Sequence, residues 1–149
     1  MVRKIGAVLA GALVVGVVVF SLQWMGSLLY PLPLGLDPMD PANRDAFVAH
    51  LVGMPPIGWA LAFGSELLGA FLGAWTAGRI AGNHRVWFAG GIVGLAVMGS
   101  FLNWIAFPHP GWFIAGQVVG YPLVMLAAVR LLGRDPAQEP RATRSEPIR

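Results

Sequence analysis

Residues 57–80 read IGWALAFGSELLGAFLGAWTAGRI, an apolar run whose single acidic side chain is Glu66. About 20 helical residues cross the ~30 Å hydrocarbon layer of a bilayer, so this run is long enough to span a membrane once. An ionised carboxyl near the middle of a bilayer costs roughly 2.5–3.5 kcal/mol on insertion scales. Some interaction must offset that cost, which makes Glu66 the first candidate for a functional residue.

The whole chain has the composition of an integral membrane protein. Of its 149 residues, 56% are hydrophobic and only 11% are charged, whereas soluble domains carry about 25% charged residues. The chain contains no cysteine, which excludes disulfides and thiolate chemistry. The net charge of +3 does not indicate nucleic-acid binding, because the basic residues lie at the ends of apolar runs, where they set membrane topology.

Three further apolar runs are long enough to span a bilayer. We therefore predict an all-α membrane protein, with a four-transmembrane-helix bundle in residues 1–133 and a disordered cytoplasmic tail in residues 134–149. The predicted spans cover roughly residues 5–29, 57–80, 86–107 and 111–132.

The basic residues orient these spans. Arg3 and Lys4 precede the first span, and Arg79 and Arg85 flank the short connection between the second and third. Only Arg44 lies on the opposite side. The positive-inside rule therefore predicts cytoplasmic termini in a multi-pass protein of the cell inner (plasma) membrane.

The first external connection is the only long one. Asp40 followed by Pro41 is typical of a helix N-cap and first helical residue. Phe47, Leu51 and Met54 then recur at helical spacing. This pattern predicts a short amphipathic helix on the outer surface, either as a lid over a site or, the favoured alternative, as a seal over the bundle.

Four polar residues inside the spans predict a binding site that opens outward. At ~1.5 Å per residue from the outer ends, Asn103 lies about 6 Å deep and Glu66 about 14 Å deep. Gln23 and Gln117 lie between them, at about 9 Å. We predict that these residues form a small-molecule site with no catalytic residue, metal ion or cofactor.

Glu66 shares a helical face with Gly69 and Gly73. Small residues four apart let helices approach closely in a bilayer. This face therefore predicts contact with another helix, in the same bundle or in a second copy of the chain as a homo-oligomer. Asn103 shares its own face with Ser100, and Gln117 shares one with Tyr121.

Two interpretations of Glu66 remain open. No Lys or Arg lies in the interior of a predicted span, so an ionised Glu66 would have no cationic partner there, and desolvation favours the neutral acid. In the favoured interpretation, Glu66 donates hydrogen bonds to the amides of neighbouring helices and clasps them together, at roughly 0.6–2 kcal/mol per bond. In the other, it exchanges a proton for a polar or cationic ligand.

Aromatic and histidine side chains add no further site. His50 and His109 lack a regular ligand spacing, so no metal site is predicted and their role stays open. Most aromatic residues near the outer ends of the spans are typical of an interfacial belt, namely Trp24, Tyr30, Trp59, Trp104 and Trp112.

The segment Glu66–Gly82, ELLGAFLGAWTAGRIAG, and the later PHPGWF at 108–113 resemble small four-span bacterial membrane proteins with no assigned activity. The resemblance covers most of residues 1–133. It implies a four-helix bundle and no particular activity.

The chain shows no Ser/His/Asp set, phosphate-binding loop or metal motif, so we do not expect an enzyme. We expect a structural or accessory membrane subunit whose partner is the lipid bilayer. The alternative is a small oligomeric transporter or channel with a proton-titratable Glu66 in an outward-facing vestibule. An open cavity that reaches Glu66 would favour transport, whereas tight packing around it would favour the accessory role.

Overall fold

The computed structural model describes residues 1–133, and this range contains five α-helices and no β-strand. Four of the helices are long and apolar enough to cross a membrane, which confirms the all-α prediction and the number of candidate spans. The predicted tail, residues 134–149, lies outside the described residues. The helices are α1 (Val2–Leu29), α2 (Arg44–Val52), α3 (Pro56–Ala81), α4 (Arg85–Ala106) and α5 (Gly111–Leu132).

Proline and glycine set several of the helix boundaries. α3 begins at Pro56 and α5 begins directly after Pro110; proline suits a helix start because its missing N–H would have no helical partner there. α3 ends before Gly82, whose φ of +75° is accessible to glycine at little cost. The connections to and from α4 are therefore short, and consecutive long helices run antiparallel.

A short helix occupies the connection between α1 and α3, as the sequence predicts. Asp40 does not cap α2 itself but a 3-10 helix, Pro41–Asn43, which leads directly into α2. Its side chain accepts a 2.9 Å hydrogen bond from the backbone nitrogen of Ala42. Phe47 of α2 packs edge-on against Phe107, with ring centroids 5.4 Å apart, so α2 lies beside the turn between α4 and α5.

α3 is the central helix of the bundle. It contacts α1, α4 and α5, while α1 and α5 lie on opposite sides of the α3–α4 pair and make no close backbone contact within the described residues. The bundle has two distinct ends. The α2 end holds α2 and the ends of α1 and α4, and the Arg3 end holds the beginnings of those two helices.

The Gly69–Gly73 face of α3 packs against α1 of the same chain. A Cβ atom at Gly69 would lie 2.9 Å from Val19 Cγ2, and one at Gly73 would lie 2.7 Å from the carbonyl oxygen of Gly11. The predicted close helix contact is therefore made within one chain. A second copy of the chain has no room on this face while α1 occupies it, so a homo-oligomer through Gly69 and Gly73 stays a prediction that requires α1 to move.

Two further glycines set the register between α3 and α5. A Cβ atom at Gly116 would lie 2.8 Å from Phe63 Cε2, and one at Gly120 would lie 2.7 Å from Leu67 Cδ1. Each large side chain of α3 thus fills the space left by one glycine of α5. This register brings Glu66 beside the polar face of α5.

Arginines from other elements cap the C-termini of three helices. Cations are favourable at helix C-termini, by roughly 0.3–1 kcal/mol each. The basic residues that predict topology therefore also close the bundle at its ends. Arg3 donates to Ile80 at 2.6 Å, Arg85 to Leu132 at 2.9 Å and Arg44 to Ala106 at 3.0 Å, each to the carbonyl oxygen.

Candidate functional site

Glu66 is the centre of a hydrogen-bonded cluster that joins three helices. Its Oε2 atom accepts hydrogen bonds from Gln117 Nε2 at 2.7 Å and from Ser100 Oγ at 2.5 Å. The hydroxyl of Tyr121 lies 3.4 Å from the same oxygen. Because Ser100 is on α4 and the other two donors are on α5, Glu66 ties α3 to both helices. These hydrogen bonds, which we call the clasp, join the three helices.

The direction of the clasp follows from Trp104. An indole N–H can only donate, and Trp104 Nε1 lies 2.9 Å from Gln117 Oε1. The oxygen of the Gln117 amide must therefore face Trp104, which turns its NH₂ group towards Glu66. Gln117 is fully buried and has no water to compete for either end. The amide donates and Glu66 accepts, which reverses the predicted direction of this bond.

The two hydroxyls lead to the same assignment. Ser100 Oγ and Tyr121 OH lie 2.6 Å apart, so one of their two protons lies between them and the other is directed to Glu66 Oε2. That oxygen accepts from a hydroxyl as well as from Gln117. In the arrangement in which Ser100 donates to Oε2, a neutral Glu66 carries its acidic proton on Oε1.

The second oxygen of Glu66, Oε1, has different surroundings. No described residue donates a hydrogen bond to it, and Glu66 forms no ion pair within residues 1–133. No buried side-chain oxygen in the described part of the chain lacks a partner, so Oε1 is accessible. Glu66 lines two cavities, and Oε1 is the carboxyl oxygen that has no hydrogen-bond partner within residues 1–133.

The first of these, the loop cavity, lies beneath α2 and has a volume of about 400 Å³. Phe47, Leu51 and Met54, the apolar face predicted for α2, all line it. His50 and His109 also line this cavity. α2 thus covers a space that leads to Glu66, which is the geometry of a lid as well as of a seal.

The second, the groove cavity, has a volume of about 360 Å³ and lies between α1 and α4. Ser100 and Tyr121 contribute to its polar part beside Glu66. Gln23, Glu66 and Asn103 line both cavities, so the two spaces adjoin at these three residues. Both volumes fall in the range of about 300–1,000 Å³ that is usual for small-molecule sites.

The structure brings all four predicted site residues together, in two different ways. Gln117 bonds directly to Glu66. Gln23 and Asn103 line the adjoining cavities without a hydrogen bond to Glu66. Asn103 Nδ2 instead lies 3.4 Å from His109 Nε2. Of the three predicted amides, only Gln117 belongs to the clasp, while Gln23 and Asn103 line the two cavities; the outward-facing vestibule stays a prediction.

Sequence reasoning assigned two tryptophans to other roles. Trp104 and Trp59 were predicted as belt residues, yet Trp104 fixes the Gln117 amide and Trp59 is only 7% exposed. The Trp59 ring packs against His109, with centroids 5.3 Å apart. Trp24 and Trp112 are 59% and 52% exposed, as belt residues are.

No group of three or more metal-ligating side chains occurs within residues 1–133. His109 makes protein contacts instead: its Nδ1 lies 2.9 Å from the carbonyl oxygen of Phe107. Its ring also packs against Phe113, at 5.1 Å between centroids. His50 and His109 are therefore part of the wall of the loop cavity.

Comparison with known protein families, with curated proteins and with solved structures finds no match. The resemblance to small bacterial four-span proteins stays a prediction, and the chemistry of the site has to carry the assignment of function.

Proposed function

We propose that the chain is a small membrane transporter in which Glu66 exchanges a proton for a polar or cationic ligand. The observation that carries this proposal is the difference in surroundings between the two oxygens of the Glu66 carboxyl group. Oε2 is held by the donors of α4 and α5, Oε1 has no hydrogen-bond partner within residues 1–133, and Glu66 lines two cavities. A purely structural clasp has no need of that space.

The proton and the ligand compete for Oε1 in this mechanism. When Glu66 is neutral, the proton is on Oε1 and no charge is buried. When a cationic or hydrogen-bond-donating ligand arrives, the proton leaves and the carboxylate binds the ligand. The clasp on Oε2 keeps the side chain in place through the exchange, and the nearby amides of Gln23 and Asn103 offer both donors and acceptors to the ligand.

We place the α2 end on the outer side of a plasma membrane. Arg3, Lys4, Arg79 and Arg85 lie at or near the Arg3 end, whereas Arg44 is at the α2 end. The positive-inside rule then makes the Arg3 end cytoplasmic. In this orientation the loop cavity faces outward beneath α2 and adjoins the groove cavity at Glu66.

Proton-coupled uptake into proteoliposomes tests the proposal. A screen of polar and cationic solutes compares wild type with Glu66→Gln, whose amide oxygen can replace Oε2 in the clasp while its NH₂ group cannot titrate. We expect wild type to move protons in exchange for at least one solute and the variant to lose that exchange while staying folded. Full exchange by the folded Glu66→Gln variant would contradict the proposal.

A second candidate function is that of a structural or accessory membrane subunit. It is supported by the hydrogen-bonded chain from Trp104 through Gln117 to Glu66, which holds three helices in one arrangement. In that case the hydrogen bonds at Glu66 would serve only to hold the helices together, and the cavities would bind no ligand. Wild type that exchanges protons for none of the solutes would favour this second function.

A further inference from the structure

The groove cavity has a polar end and an apolar end. α1 and α4 both begin at the Arg3 end and run in the same direction. They meet near the base of the cavity, where a Cβ atom at Gly11 would lie 3.0 Å from Ile92 Cδ1. From this contact towards the α2 end, α1 continues to pack against α3, which leaves a space between α1 and α4.

The lining of that space changes along its length. On α1, Ala12, Val15 and Val19 come first and Gln23 follows. On α4, Ile92 and Leu95 come first, and Ser100 follows beside Glu66. Between Ile92 and Ser100 the helix rises about 12 Å, at ~1.5 Å per residue. An apolar slot of that length therefore leads to the free oxygen of Glu66.

The slot is open at the side of the bundle. Leu95 lines the cavity and is still 50% exposed, and Gln23 and Gly99 are exposed as well. These residues lie on helices that are candidate membrane spans. The opening between α1 and α4 therefore faces the hydrocarbon layer of the bilayer in the proposed membrane protein, and an apolar compound can enter it without crossing water.

Charge complementarity selects the occupant. Glu66 has no cationic partner within the described residues, and the slot below it offers only apolar contacts. We infer that the substrate is an organic monocation with one apolar chain, taken from the bilayer through the α1–α4 groove. Its head group binds Glu66 Oε1 in place of the proton, and its chain lies along Val15 and Leu95. This inference rests on the proposed exchange at Glu66 and names its substrate class.

Gly99 offers a way to block the slot selectively. It lines the groove cavity, and a Cβ atom there would meet no heavy atom within 4 Å, so Gly99→Leu places a side chain in the empty space. Gly94 lies on the same helix with the same free surroundings, but it lines neither cavity. Gly94→Leu is therefore the matched control for folding and helix propensity.

The test measures binding in neutral-lipid nanodiscs, with empty nanodiscs subtracted, for dodecylammonium, butylammonium and uncharged dodecanol. We expect wild type and Gly94→Leu to bind dodecylammonium about tenfold or more tightly than either other probe. Gly99→Leu should lose the advantage over butylammonium, and Glu66→Gln should lose the advantage over dodecanol.

The outcomes separate the inference from the proposed function. If Gly99→Leu keeps the wild-type affinity for dodecylammonium while both amines still depend on Glu66, the groove assignment is wrong and the exchange at Glu66 stands. Equal binding of dodecanol and dodecylammonium by wild type overturns the cationic assignment. If wild type binds neither amine, or binds both independently of Glu66, the inference is overturned, and the proton-exchange screen with Glu66→Gln decides separately whether the proposed function stands.

Discussion

The two carboxyl oxygens of Glu66 have different surroundings, and each supports a different role. Oε2 accepts from Gln117 and Ser100 and so contributes to the stability of the bundle. Oε1 has no hydrogen-bond partner within the described residues, and Glu66 lines both cavities, so Oε1 is the oxygen that we propose for a proton or a ligand. A substitution that keeps an acceptor at Oε2 but removes the acid therefore separates the two roles.

At the clasp, we predict that Glu66→Leu destabilises the bundle and that Glu66→Gln does not. Leucine leaves the donors of Gln117 and Ser100 without an acceptor, at a cost of roughly 0.6–2 kcal/mol for each lost bond. Glutamine presents a carbonyl oxygen to the same donors. The measurement is the free energy of unfolding in mixed detergent micelles. Equal stability of the two variants would show that the clasp contributes nothing.

For the donor that orients Gln117, we predict that Trp104→Phe lowers the free energy of unfolding by about 1–3 kcal/mol, because it leaves a buried amide oxygen without a partner. Trp112→Phe is the matched control, since the Trp112 ring is half exposed and makes ring contacts only. The two variants are compared by the same unfolding measurement. A loss as large in Trp112→Phe would mean that indole packing, and not the N–H group, matters at Trp104.

The residues that form the site were largely predictable from sequence, whereas the hydrogen bonds between them were not. Helical spacing placed Ser100 beside Asn103 and Tyr121 beside Gln117 on shared faces, and all four of these residues line or bond to the Glu66 site. The direction of the Gln117 bond depends on Trp104, whose partner lies on another helix. Periodicity within one helix carries no information on such a contact.

At the scale of elements, α3 holds the bundle together through two kinds of glycine contact. Its own Gly69 and Gly73 let α1 approach its backbone, and Gly116 and Gly120 of α5 receive its large side chains. Close packing of this kind drives helix association in a bilayer, where lipid supplies no hydrophobic force between helices. α3 is thus the helix on which substitutions should be felt most.

For the α1–α3 contact, we predict that Gly73→Ala destabilises the protein by about 1–3 kcal/mol, the usual cost of overpacking. Its added methyl would meet Val15 Cγ2 and the carbonyl oxygen of Gly11, and backbone cannot move aside easily. At Gly16 of α1 a Cβ atom would meet nothing within 4 Å, so Gly16→Ala should leave stability unchanged or slightly higher. Unfolding curves of both variants check this, and a neutral Gly73→Ala would contradict the close contact.

The helices themselves followed from hydropathy and from proline positions. The predicted spans agree with α1, α3, α4 and α5 to within a few residues, because the length of an apolar run is a local property. The partner of the Gly69–Gly73 face was not predictable in the same way. A small-residue face shows that another helix comes close, but a second copy of the chain and α1 satisfy the same pattern equally well.

At the scale of the whole molecule, the two ends of the bundle differ in charge, and only one of them is covered by a short helix, α2. The Arg3 end holds basic side chains that cap α3 and α5, and the α2 end is covered by α2 above the loop cavity. Exchange at Glu66, which lines the loop cavity, has a defined direction only if the bundle has one orientation in the membrane. The topology is therefore the premise of any directional transport.

Cysteine labelling tests that orientation without interference, because the chain contains no cysteine. We predict that a membrane-impermeant maleimide labels Met39→Cys on intact cells and labels Asn83→Cys only after permeabilisation. Both positions are exposed, the first in the α1–α3 connection and the second in the α3–α4 connection. The physical reason is the cost of translocating the basic residues of the Arg3 end, which holds that end in the cytoplasm. The unsubstituted chain must give no label. Labelling of Asn83→Cys alone on intact cells would invert the orientation and place the loop cavity inside. Labelling of both positions would mean that the chain inserts in two orientations, so that exchange at Glu66 could have no fixed direction.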